Sequence, residues 1–264
     1  WLQPIALAVT VAFLMQLPAA AGSNDTFDPL LIDGALCATG TSRQPALFRN
    51  LVLAATETAP FQPVPAQPAL GESPVLYGNL GGLMFKAGTD RAGAQAWFDQ
   101  GMRFAFAFNH AEAQRAFREA QKLDPRCALC YWGEALVLGP NINVPMMPEA
   151  NAPALAALAK AVELAPSAPA RDQALIQALA KRYSADPKAE RASLDSAYAE
   201  AMKKVAERFP DATVRTLYAE AMMDTQPWDY WEAGGTKPKG HGAEIVATLE
   251  SVLKRNPNHP GAIH

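Results

Sequence analysis

Histidine and cysteine are scarce in this chain, four and three respectively among 264 residues. No H-E-x-x-H pair and no spaced zinc motif can be assembled from so few. No Lys/Arg cluster is longer than a pair, and the formal net charge is −3. A nucleic-acid binder needs a basic face, so that class is excluded as the leading reading. No phosphate-cradling glycine loop or nucleophile elbow is present; Gly81-Gly82 and Gly234-Gly235 lack the required neighbours. Carboxylates are scattered along helix faces, where solvation is their ordinary role. Catalysis is therefore not the expected function.

Long uncharged runs are also missing, apart from residues 4–20. That stretch is marginal for spanning a bilayer, which takes about 20 apolar residues. It ends in Ala19-Ala20-Ala21, a small-residue cleavage pattern, and reads as a signal peptide over 1–21, with an uncleaved anchor as the alternative. The chain begins at Trp1 without a charged start, so further residues are expected before it. Export implies an oxidising compartment, periplasmic or extracellular. No stable membrane span is expected beyond this segment.

What the sequence does contain is helix. Residues 22–92 are irregular: one short helix is expected in 45–57, prolines 60, 63, 65, 68 and 74 impose an extended linker or strap, and Gly-Gly within 76–88 suggests a small hairpin. From about Gly93 the pattern changes to paired amphipathic helices. The spacing W-x2-L-G-x2-Y…A-x3-F…P maps onto Trp97, Gln100, Gly101, Phe104, Ala113, Phe117 and Pro125, with Gln100 where Leu is usual. Gly101 and Ala113 let the helices approach; Trp97, Phe104 and Phe117 fill the space between them. Three further pairs follow: Tyr131, Ala135 and Leu138 with Ala154, Leu158 and Ala161; then about 169–210 with Tyr198, Met202 and Val205; then about 213–257 with Ile245, Leu249 and Val252. Insertions enlarge the loops near 139–153 and 226–242.

Residues 93–264 resemble the tetratricopeptide-repeat superfamily. Within them FNHAEAQRAF, DPRCALCYWGEAL, GPNIN and HPGAIH look like a group of exported bacterial repeat proteins. Cys127, Tyr131, Trp132, Gly133, His259, Pro260, Gly261 and His264 match that group's pattern, and Cys130 departs from it. The resemblance implies an all-α solenoid of antiparallel helix pairs that binds a protein or peptide partner. An array stopping at His264 without a polar cap would expose apolar surface, so the natural chain is expected to continue.

Three constellations follow as candidate sites. The first helix of each pair would line a concave groove, giving Phe98, Met102, Phe106 and Asn109, then Trp132, Leu136, Asn141 and Asn143. The competing reading is that neighbouring helices or the Pro-rich strap cover these side chains. Cys127-x-x-Cys130 enters a helix N-terminus, where thiols are activated; a local disulfide, buried thiols, a redox pair and a metal site all remain open. Cys37 is left over. His110, His259 and His264 are candidate metal ligands, with helix capping as the alternative. No cofactor is expected, and a metal ion is the rival. A fourth cluster, Trp228-Asp229-Tyr230-Trp231, is expected to pack its long loop onto the helices, with binding of a sugar or a peptide face as the alternative.

Overall fold

The computed structural model describes residues 74–83, 85–186 and 188–264, all within the unit Val64–His264. The signal segment, the 45–57 helix, prolines 60–68 and Cys37 lie outside the described residues. The described residues are helical, with no strand beyond an isolated bridge between Trp231 and Pro238. The helices are α1 (Ala92–Phe106), α2 (His110–Leu123), α3 (Ala128–Val137), α4 (Asn151–Leu164), α5 (Ala170–Leu179), α6 (Arg191–Arg208), α7 (Ala212–Asp224), α8 (Gly242–Leu253) and the short α9 (Pro260–Ile263). Among the described residues, none is long and apolar enough to cross a membrane.

Local chemistry sets the helix starts. The side chains of Asn109, Cys127, Asp211 and His259 each accept from the backbone N–H three residues on. Those amides have no intrahelical partner, so a capping acceptor there stabilises the first turn. Packing then follows chain order: each helix contacts the next, and α1 and α5 also pack on α3. Phe117 of α2 is the wedge. A Cβ on Gly101 would lie 2.6 Å from its ring, and one on Gly133 would lie 2.5 Å away. Glycine at these two positions of α1 and α3 makes the notch into which the ring fits.

The segment before α1 holds neither helix nor strand in its described residues, so the hairpin expected within 76–88 does not form. It runs instead as a strap, with Leu83, Phe85 and Ala87 buried. Two α1 glutamines hold it. The Gln100 amide accepts from Tyr77 N–H at 2.8 Å and donates to Val75 O at 2.9 Å. Gln95 does the same for Ala87 N–H at 2.9 Å and Phe85 O at 3.0 Å. This accounts for Gln100 at a position where the spacing favours Leu: a buried side chain there has to satisfy extended backbone. Gln100→Leu is expected to leave the helices intact while costing about 1–2 kcal/mol locally, read as faster hydrogen exchange at the Tyr77 amide.

The strap also corrects the expected groove. Phe98, Met102 and Trp132 are 0% exposed, and Leu136 and Phe106 are buried as well. Phe85 of the strap stacks on Phe98 with centroids 6.1 Å apart, and Phe98 meets Phe117 at 5.6 Å. At the other end α9 returns onto α1. A Cβ on Gly261 would fall 2.4 Å from Phe106, and His264 Nδ1 donates to Phe106 O at 2.6 Å. Phe98, Met102, Trp132 and Leu136 are therefore core, and Phe106 is buried with part of its ring on a cavity.

Candidate functional site

Where α9 closes on α1, a cavity of about 210 Å³ remains. Phe106, Phe108, Met223, Leu249 and Ile263 form its apolar wall, with Ile142 arriving from the loop after α3. Three residues of α7, Thr216, Glu220 and Met223, also line it; their i, i+4, i+7 spacing puts them on one helix face. Concavities of about 490 Å³ between α5 and α6, and about 600 Å³ beside Asp211 and His259, are larger but open as surface troughs.

Phe108 holds an unusual backbone. It follows the last turn of α1 with φ 55°. Asn109 N–H reaches Phe104 O at 2.9 Å, and Phe108 N–H reaches Ala105 O at 3.0 Å. This is the Schellman arrangement, whose left-handed position normally carries Gly. A phenylalanine there costs about 1–2 kcal/mol in backbone conformation. The result is a ring set between His264 at 5.1 Å and His110 at 6.2 Å, walling the cavity on one side. On its other side lies an open concavity of about 370 Å³ with Asn109, His110 and Asn141 in its lining.

Glu220 is the acidic side chain of the cavity wall. It is only partly exposed, and the cavity wall is where it surfaces. One turn later Asp224 is buried and paired with Arg182. Arg182 also reaches Asp195 at 3.4 Å and Pro140 O at 3.0 Å, and its guanidinium lies 4.9 Å above the Tyr198 ring. Arg191 pairs with Asp195 at 3.0 Å. Among the described residues, two guanidiniums thus stand beside three carboxylates, and Glu220 is the carboxylate that forms no ion pair. Burial, then repulsion from Asp224, pushes its carboxyl up to about 7, partly offset by Arg182. Burial raises Asp224 as well. Folded Glu220 therefore keeps a proton that the unfolded chain has already released, and stability falls as pH rises from the ordinary carboxylate range towards about 7. Glu220→Gln removes this loss. Thermal melts of the two proteins are expected to converge near pH 5 and to favour the variant at pH 8.

The other candidates are placed as follows. Cys127 and Cys130 form a disulfide and both are buried. It sits at the start of α3, where Cys127 also caps the helix. A loop this short constrains the unfolded chain by about 2 kcal/mol in the loop-entropy treatment. Replacing both with Ala is expected to cost no more than that, and the native protein to resist thiol labelling after mild reductant until it is unfolded. His259 Nδ1 accepts from Ala262 N–H at 3.3 Å, so Nε2 carries the hydrogen, donated to Thr213 Oγ1 at 3.1 Å. Burial lowers the pKa of both His259 and His110. Asn109 rather than His110 caps α2. Both His259 ring nitrogens are thus occupied, and no group of three His, Cys, Asp or Glu among the described residues could hold a metal ion. Asn141 turns back on its own loop, its Oδ1 accepting from Asn143 N–H at 2.8 Å and Val144 N–H at 3.1 Å; Asn143 is exposed. Of the aromatic insertion, Tyr230 packs, its hydroxyl donating to Met223 O at 3.3 Å. Trp228 and Trp231 remain exposed, contrary to the packing expected of them.

No family model, curated protein or solved structure matches this chain. The chemistry of the site has to be taken from its own residues. Of those named from the sequence, Phe106 and His264 meet in the cavity, while Asn109, His110 and Asn141 share the adjoining concavity. Sequence reasoning missed Phe108, Ile142, Glu220, Met223, Leu249 and Ile263. One signal was available: Phe108 occupies a helix stop where Gly is the rule.

Proposed function

We propose that this chain is an exported helical-repeat scaffold of tetratricopeptide type that binds a segment of a protein partner. One side chain of that segment enters the cavity between α1, α7 and α9, and the segment's backbone crosses the mouth by Phe108. The observation that carries this reading is the cavity itself. Its volume of about 210 Å³ is below the roughly 300–1,000 Å³ of sites that enclose a whole small ligand. It exceeds the roughly 150 Å³ of an apolar cavity able to take a benzene molecule. One anchoring side chain fits that window. The paired packing of α1 to α8, the Gly101 and Gly133 notch for Phe117, and the return of α9 support the repeat architecture. The Cys127–Cys130 disulfide supports an oxidising compartment.

The test is peptide selection by phage display against the folded protein, followed by binding to a variant with the cavity filled, Ala105→Trp, whose fold is checked by circular dichroism. Selected peptides are expected to lose at least tenfold in affinity for the filled variant. Peptides that bind both proteins equally, or a library that yields no enriched peptide, would count against the cavity as the binding site.

A further inference from the structure

The geometry points to a lysine as the side chain that the cavity accepts, its methylene stem lying between Phe106 and Leu249 and its ammonium on the Glu220 carboxylate. This rests on the cavity being the binding site and names the chemistry of what enters it. The wall is apolar except for Thr216, Glu220 and His264. Two of those three already have partners: Thr216 donates its hydroxyl to Ala212 O at 2.9 Å, and His264 gives its Nδ1 hydrogen to Phe106 O. Among the described residues Glu220 has no hydrogen-bond partner. An apolar occupant would seal an ionised carboxylate away from water without a donor, which is costly. An anionic occupant would meet the Glu220 carboxylate, with like charge against like. A guanidinium binds best to a fork of acceptors, and the cavity presents a single carboxylate. Lysine carries an apolar stem with a compact charge at its end, which matches a wall of apolar side chains holding one carboxylate.

The charge balance agrees. The groups acting on Glu220 are Asp224 from its own helix, Arg182 after α5 and Tyr198 of α6, with His264 of the α9 end in the same cavity wall. Arg182 is committed to Asp224, Asp195 and Pro140 O, so one positive charge is missing from the cluster. Because the carboxylate has to be ionised to hold the ammonium, binding strengthens as pH rises through the range in which Glu220 titrates.

The test uses the whole chain and three five-carbon probes: n-pentylamine for the lysine stem, n-pentanol as its neutral counterpart and pentanoate as the anion. Affinities are read from methyl shifts of Met223, Leu249 and Ile263. At pH 8 the amine is expected to bind at least tenfold tighter than the alcohol, the size of one charge-assisted hydrogen bond, and pentanoate weakest of all. At pH 5 the advantage of the amine shrinks. In Glu220→Gln it vanishes while pentanol still binds. Pentanol or pentanoate binding as tightly as pentylamine to the wild type at pH 8 would overturn the lysine assignment and leave the cavity as a site. An amine preference unchanged in Glu220→Gln would do the same. If none of the probes shifts these methyls, the cavity is not a binding site at all. The wild-type comparison stands whether or not the variant folds.

Discussion

Arg182→Ala is expected to destabilise the protein by about 3–5 kcal/mol, seen as a fall in the denaturant midpoint with little change of slope. The guanidinium is almost wholly buried and joins three parts of the chain: Asp195 in α6, Asp224 in α7 and the Pro140 carbonyl before the 141–150 loop. Removing it leaves Asp224 sealed in without a partner, beside a second carboxyl one turn away. The loss therefore comes mainly from the stranded charge and less from the contacts deleted. A double variant separates these. Arg182→Met with Asp224→Asn keeps the volume and removes the stranded charge, and Asp195 retains Arg191. It is expected to recover most of the stability lost in Arg182→Ala. Equal instability of the double variant would mean that the hydrogen bond to Pro140 O, which fixes the loop, matters more than the ion pairs.

Phe117→Ala should cost a similar amount, about 3–5 kcal/mol, for a different reason. The ring fills the notch made by Gly101 and Gly133 and touches Phe98. Two glycines cannot close over the space, because neither has a side chain to move into it. The cavity left behind is therefore expected to persist and the loss to sit at the upper end of the range. Refilling it from the other side gives the check. Gly101→Ala in the wild type clashes with the ring, since its Cβ would lie 2.6 Å from it. In the Phe117→Ala background the same change has room and should restore part of the stability. Urea denaturation of the two single variants and the double variant measures the coupling.

These two residues show what was legible in the sequence. Phe117, Gly101 and Ala113 fall on the helix pair that their spacing predicts, because a local pair of helices is specified by residues within about 34 positions of one another. Gln100 was visible as a departure from the pattern, but its reason lies in Tyr77 and Val75, which come next to it only after folding. The groove residues Phe98, Met102 and Trp132 were assigned the correct helices and the wrong surroundings. Helical spacing states which face a residue occupies, and it says nothing of a strap or a returning helix that covers that face. HPGAIH was visible as a motif. Its physical content is a capping His259, a Pro260 in the first turn where a missing N–H is harmless, a Gly261 that lets α9 touch Phe106, and a His264 bonded to Phe106 O. Arg182 and Asp224 were invisible as a pair, since 42 residues separate them and only packing of α5 on α6 and α6 on α7 brings them together.

The closest test of the binding account is a crystal of this chain soaked in n-pentylamine at pH 8. The account requires electron density for the amine between Phe106 and Leu249, with its nitrogen within hydrogen-bond distance of a Glu220 carboxylate oxygen. Density in that position with the nitrogen turned outward would retain the cavity and remove the lysine. An amine found only in the surface troughs, with the cavity filled by ordered water, would contradict the account.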